Sequence, residues 1–347
     1  MTDDDNVMQS PEEFVDQMLP SHERLTRVVH TLLETILKDD NVDYLSITSR
    51  TKTKDTTLEK ITRKSYSDPH RQLTDLSGIR IITYFDNQVR AISNLIAEIF
   101  DVDKPNSMDR SEVLGSDKVG YRSVHFVCTL GGQRKNIKEY KGLCDLKFEI
   151  QIRTVLQHAW AELTHDRSYK FSGVLPKALQ RKLNLYAGML EVVDEAFDQI
   201  ALSADSYAEN LRTQKDVDLG QEKLNSISFT EFLKKFTEKH DIEIRNISGP
   251  AMIIDELERF GIATIDELEK LLLEFVDVYK QSRVKLNDIA FVRGAMLHKD
   301  MEKYLSGEPD WSQLITPVWE ILALKYEAGE IKKTLKKFGK RVQGDDR

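Results

Sequence analysis

Cysteine is nearly absent: the 347 residues hold two, Cys128 within an apolar run and Cys144 in a loop. Their spacing suits neither a metal-ligand set nor a disulfide framework, which points to a reducing compartment. Long apolar runs are missing too, since no stretch approaches the about 18 residues that a membrane-spanning helix requires. The opening MTDDDNVMQSPEE is acidic where a secretory leader is basic and then apolar. The expectation is a cytoplasmic protein with no membrane partner. Positive charge is in deficit, with 50 lysines and arginines against 58 acidic residues and a net charge of -8, so the global field does not attract polyanions. Any polyanion must be met by a local patch. There is no internal repeat and no low-complexity tract, and 40% hydrophobic residues suffice to fill the cores of two domains.

Ser10, Pro11 and Glu13 form a helix-start signal, and apolar spacing from Phe14 to Ile36 predicts two helices split near Pro20. A short strand, Tyr44 to Thr48, leads into a basic segment whose helix carries Leu58 and Ile61 and breaks at Asp68 and Pro69. A strand from Ile79 to Phe85 and a helix from Gln88 to Phe100 come next. The runs GYRSVHFVCTL and LKFEIQIRT read as antiparallel neighbours, followed by helical spacing over Val155 to Ala161 and Pro176 to Leu211. Residues 10–211 therefore read as one α+β domain, a mixed β-sheet flanked by helices. Residues 212–225 read as a linker, and 226–347 as an all-α accessory domain. Its expected helices are Phe229 to Phe236, Ala251 to Phe260, Ile265 to Tyr279, Val284 to Tyr304 and Trp319 to Phe338, with Gly261 as a C-cap and Thr264 with Glu267 as a capping box.

Four segments carry chemistry. From Arg50 to Lys64 there are six basic residues against two acidic ones, a conspicuous patch in an acidic chain. Arg50, Lys52 and Lys54 alternate as they would along one side of an extended segment, and Lys60 lies in the following helix, so the four suit the converging charges of a triphosphate. A solvated charged face would show the same run. Asp75 stands before an apolar strand beside Ser77 and Gly78; a carboxylate there suits Mg²⁺, which takes one or two carboxylates plus phosphate oxygens. A turn or cap aspartate looks alike. Arg80 would add a phosphate contact or pair with Asp75. In GYRSVH, the residues Tyr121, Ser123 and His125 share one face, offering a ring to stack on a base and a donor to phosphate or hydroxyl. In FEIQIRT, Phe148, Ile150 and Ile152 turn inward while Glu149, Gln151 and Arg153 share the other face. Glu149 is the second carboxylate candidate; an ion pair with Arg153 is its ordinary alternative.

Taken in order, SRTKTKDTTLEK, DLSGIRI, GYRSVH and EIQIRT resemble the synthetase domain of the RelA/SpoT family, the alarmone synthetases that make (p)ppGpp. The likeness runs from about Asp43 to Lys170 and includes the continuation LQHAWAELTHDRSYK. It implies a nucleotidyltransferase-like sheet and pyrophosphate transfer from ATP to the ribose 3′-hydroxyl of GTP or GDP, with release of AMP. By the same resemblance Arg50, Lys52 and Lys60, with Lys54 beside them, hold the adenosine nucleotide. Asp75 and Glu149 are the acidic pair for Mg²⁺ and hydroxyl activation. Tyr121 stacks on guanine, His125 lies by the acceptor phosphates, and Lys118, Gln151 and Arg153 are further nucleotide contacts. Val119 departs from the Asn that long members commonly place before the Gly-Tyr pair.

Long members also carry a His-Asp hydrolase ahead of the synthetase. About forty residues precede the core here, so the expectation is a single-activity synthetase. Two other readings stay open: a toxic relative whose acceptor is the 3′ end of tRNA, with Lys135, Lys138 and Lys141 on the RNA, and a non-catalytic nucleotide-binding module. A protein regulator or antitoxin acting through the C-terminal helices and a homo-oligomer are possible partners.

Overall fold

Ser10 closes a capping box with Glu13 and starts helix α1, Pro11–Asp39, in the computed structural model, which describes residues 10–109, 123–166, 175–213, 220–247, 249 and 251–344. One helix replaces the pair expected around Pro20. The proline removes a single backbone hydrogen bond, and apolar burial on both sides carries the helix through it. Val15 packs with Ile61, Leu73 and Leu76, whereas Leu25, Val29, Leu33 and Leu37 join the core beneath the sheet.

Strands β1 Ser46–Thr51, β2 Ser77–Thr83, β3 Asp101–Val102, β4 Met108–Asp109, β5 Val124–Thr129 and β6 Phe148–Thr154 form one mixed sheet. Its order is β1-β2-β6-β5-β3, with β4 also on β5. Only the β2–β6 pair is parallel among the described strands of this sheet, and β5–β6 is antiparallel as expected. β1 runs further than its predicted end, so Arg50 sits within the strand. Helices α2 Lys54–Lys64, α3 Pro69–Gln72 and α4 Asp86–Ile99 fill the connections. α4 lays Val89, Ile92 and Ile96 on Phe148, Ile150 and Ile152, all buried. That leaves the other face of β1, β2 and β6 for polar side chains.

After β6, Thr154 caps α5, Val155–Ala161, which widens into a π-helical turn at Glu162–Asp166. Helix α6 covers Lys177–Thr213. The chain forms two compact units, residues 1–201 and 202–347, so the division falls within α6. Residues 214–219 of the expected linker lie outside the described residues.

The second unit holds α7 Ser226–Lys239, α8 Ala251–Phe260, α9 Ile265–Ser282, α10 Asp288–Lys299, α11 Met301–Ser306, α12 Thr316–Leu322 and α13 Ala328–Lys337, besides a parallel pair β7 Gln313–Leu314 and β8 Arg341–Val342. Gly261 follows α8 with φ +88°, and Thr264 and Glu267 close the capping box of α9. The helix expected over Val284 to Tyr304 breaks because Asp300 turns to accept from Lys303 N and restarts the chain as α11. Trp319 to Phe338 likewise divides into α12 and α13. Phe229, Phe275 and Phe291 fill the core, and buried Glu256 accepts from both Arg293 and Tyr304.

Candidate active site

Strand register builds the site in two rows. Arg50 lies opposite Gly78, and Gly78 opposite Glu149; two residues along, Thr48 faces Arg80 and Arg80 faces Gln151. With period-two alternation all six point to the face away from α4. Gly78 has no side chain between Arg50 and Glu149, and this gap is part of an open cavity of about 290 Å³ that also takes in Lys52 and Asp75. The parallel β2–β6 pairing brings together residues about seventy positions apart in the sequence.

Asp75 sits just ahead of β2. Its Oδ2 accepts from Lys52 Nζ at 2.5 Å and from Lys60 Nζ at 2.6 Å. Burial pushes the Asp75 carboxyl up, but the two ammonium groups outweigh it and hold the group below the usual carboxylate range. Burial lowers Lys52 in turn, partly offset by Asp75. Asp75 Oδ1 is buried without a hydrogen-bond partner. A buried carboxylate oxygen with no donor is a place for a cation. Among the described residues no group of three or more His, Cys, Asp or Glu side chains would hold a metal unaided.

Glu149 is held from the neighbouring strand. Its Oε1 lies 2.8 Å from His125 Nδ1, and His125 Nε2 lies 2.8 Å from Ser123 Oγ. Burial, the largest influence, and Asp75 raise the Glu149 carboxyl, but His125 and a hydrogen bond from Gln151 together outweigh them and leave it below its ordinary value. The glutamate stays a carboxylate in a half-buried setting.

Other expected residues fare differently. Lys54 begins α2 and turns away to Asp16 on α1, at 2.7 Å, because the chain leaves its extended path one residue earlier. It takes no part in the cavity. Arg153 shares the face of Glu149 and Gln151 but does not line the cavity. Tyr121 and Lys118 lie outside the described residues, as does Val119. Of the loop lysines, Lys135 pairs with Asp145 at 2.9 Å, and Lys138 and Lys141 are exposed. Arg80 lines the cavity and pairs with Glu162 at 3.0 Å, not with Asp75.

Three contributors escaped the sequence reading. Glu162 anchors Arg80 from the π-helical turn, whose only sequence trace is the stretch after EIQIRT. Behind the site, α1 braces two strands: buried His22 Nδ1 lies 2.8 Å from Ser77 Oγ, and Thr26 Oγ1 lies 2.8 Å from Thr51 Oγ1. Burial lowers His22 to about 4, so it is neutral near pH 7. No helix-period pattern announces such a brace. The assembled face can gather a polyanion on Arg50, Lys52, Lys60 and Arg80 and set two carboxylates beside it.

Comparison with known proteins places this face in context. Residues 49–174 match a region found in RelA / SpoT proteins. The chain is 27% identical over 174 residues to GTP pyrophosphokinase YjbM of Bacillus subtilis (strain 168), covering 50% of this chain and 78% of that protein. It is 28% identical over 151 residues to GTP pyrophosphokinase YwaC of the same organism, covering 42% and 69%. The crystal structure of the small alarmone synthetase 1 from Bacillus subtilis aligns with 56% of this chain and 99% of that one, at 24% identity and a TM-score of 0.46.

Proposed function

We propose that the chain, whose residues 49–174 match a region found in RelA / SpoT proteins, is a (p)ppGpp synthetase, moving the β,γ-pyrophosphate of ATP to the 3′-hydroxyl of GTP or GDP and releasing AMP. The observation that carries this reading is Asp75, with one oxygen taken by two lysines and the other buried and unpartnered beside Glu149.

Arg50, Lys52, Lys60 and Arg80 gather the phosphates of ATP, and Gly78 leaves room for them between Arg50 and Glu149. Such transfer needs little covalent chemistry from the protein and much positioning and charge neutralisation. Asp75, with Glu149 near it, would hold Mg²⁺, which when bound neutralises the phosphoryl oxygens. Glu149 receives the proton of the 3′-hydroxyl as its oxygen attacks the β-phosphorus and the bond to the AMP oxygen breaks. His125 orients Glu149 in this scheme and keeps it ionised, in place of the acceptor-phosphate contact expected from sequence. Tyr121 stacks on the guanine, Gln151 and Lys118 add nucleotide contacts, and Arg153 would reach a nucleotide only from beyond the cavity. Residues 10–211 would form the synthetase domain, 212–225 the linker and 226–347 an accessory domain.

The test uses purified protein, γ-labelled ATP and Mg²⁺ with GDP, GTP or deacylated tRNA as acceptor. Label in the guanosine nucleotide is the expected result. Label in tRNA alone assigns the acceptor of the toxic branch, and no label in any acceptor contradicts both enzymatic readings.

A further inference from the structure

Two lysines share one oxygen of Asp75. Lys52 Nζ and Lys60 Nζ approach Oδ2 at 2.5 and 2.6 Å, while Oδ1 is buried without a hydrogen-bond partner. The three side chains are 20% exposed or less. The backbone beneath them is fixed. Lys52 N donates to Leu76 O at 2.9 Å, beside Asp75, and Thr53 caps α2, whose second turn carries Lys60 and whose Thr57 and Ile61 are buried. A lysine's four-carbon stem moves its charge without moving the chain, so a change of partner here needs only side-chain rotation. Burial opposes both the Lys52 ammonium and the Asp75 carboxylate as ions, so each gains from an opposite charge whichever partner supplies it.

The charges of the face say what the cluster does. Arg80 is matched by Glu162. Among the other described lysines, arginines and carboxylates of the face, Arg50, Lys52 and Lys60 stand against Asp75 and Glu149, which leaves it positive by one charge. A divalent cation arriving alone at Oδ1 meets two ammonium groups on the neighbouring oxygen, and like charges at that range repel. A polyphosphate arriving alone competes with Asp75 for the same two donors. Together, each removes the obstacle to the other: phosphate oxygens accept from Lys52 and Lys60 in charge-assisted hydrogen bonds, which releases Oδ2 and brings negative charge beside the carboxylates. We propose that Lys52 and Lys60 lock Asp75 against a free divalent cation, and that the lock opens only when a nucleoside polyphosphate takes both ammonium groups. The inference rests on the reading of this face as an ATP site, and it concerns binding alone.

Two titrations, each with a single ligand, test the lock in variants whose far-UV spectra match the wild type. Mn²⁺ alone is followed by the loss of its free electron paramagnetic resonance signal. The wild type should bind it weakly, and Lys52→Met and Lys60→Met should each tighten binding by about tenfold, a usual size for coupling between two sites. Arg50→Met takes the same charge from the face but no partner from Asp75, and should tighten binding by less. Equal gains in all three variants would overturn the lock, because net charge would then account for them, and so would no gain in either lysine variant. The second titration is calorimetric, with α,β-methylene ATP in EDTA. Asp75→Asn should bind this nucleotide about tenfold more tightly than the wild type, and Glu149→Gln, which removes the same charge but releases no lysine, should gain less. Equal gains, or none in Asp75→Asn, would overturn the proposal. Neither titration contains an acceptor, so label transfer, measured separately, can fail while the lock holds, and the lock can fail while transfer proceeds.

Discussion

His125 Nδ1 lies 2.8 Å from Glu149 Oε1, one step off the strand register, because the residue opposite His125 on β6 is Gln151. The diagonal contact joins an acid whose carboxyl burial pushes up to a group that draws it down. It also ties the GYRSVH and EIQIRT segments into one unit.

His125→Ala removes the lowering influence, so burial and the charge of Asp75 raise the Glu149 carboxyl. The acid limb of the pH–rate profile then moves to higher pH, and transfer near pH 7 falls about 10- to 100-fold. His125→Gln, which keeps a donor, should recover part of the loss. Profiles of the three proteins check this; an unmoved acid limb would separate His125 from Glu149.

The two lysines of the basic segment should behave differently. Lys60→Ala leaves Asp75 with one ammonium partner and takes one charge from the phosphate face, so KM for ATP rises by about tenfold or more. Lys54→Ala, which breaks an exposed pair with Asp16, should change neither KM nor kcat by more than about twofold. Steady-state kinetics on both variants decide it, and equal effects would contradict the placement of Lys54.

At Gly78 a Cβ would meet only Arg50 O at 3.8 Å, an ordinary contact. Gly78→Ala should fold with little change in Tm. Gly78→Leu should keep the fold and lose ATP binding, because its side chain enters the gap between Arg50 and Glu149. Calorimetric titration with a non-hydrolysable ATP analogue measures the difference, and full binding by the leucine variant would remove the gap from the nucleotide site.

His22 makes stability depend on pH. Its pKa falls from 6.5 to about 4 on folding, so the unfolded chain takes up the proton first. The stability present above pH 6.5 is lost as pH falls towards about 4, in an amount of about 3 kcal/mol. His22→Gln should flatten this stretch of the curve in denaturant unfolding followed from pH 7 to pH 4, and an unchanged slope would assign the loss elsewhere.

What sequence could and could not reveal follows from the range of each signal. Alternation in FEIQIRT specified both faces of β6, and capping pairs at Ser10 and Thr264 marked helix starts, because these are contacts within a few residues. Pro20 misled because its local cost is overridden by Val15 and Leu25 packing on separate cores. Lys54 misled because alternation continues in the sequence where the backbone has already become helical. The partners of Glu149, Arg80 and Ser77 are His125, Glu162 and His22, fixed only when distant elements meet. Likewise α6 shows apolar spacing in the sequence without showing which side faces inward.

The central claim is that two phosphates leave ATP together, and ATP carrying separate α and γ labels tests it most directly. With GDP as acceptor, the account predicts γ label in the guanosine product and α label in AMP in equal amounts, with both lost in Glu149→Gln. Appearance of the α label in ADP, or an unchanged rate in Glu149→Gln, would contradict it.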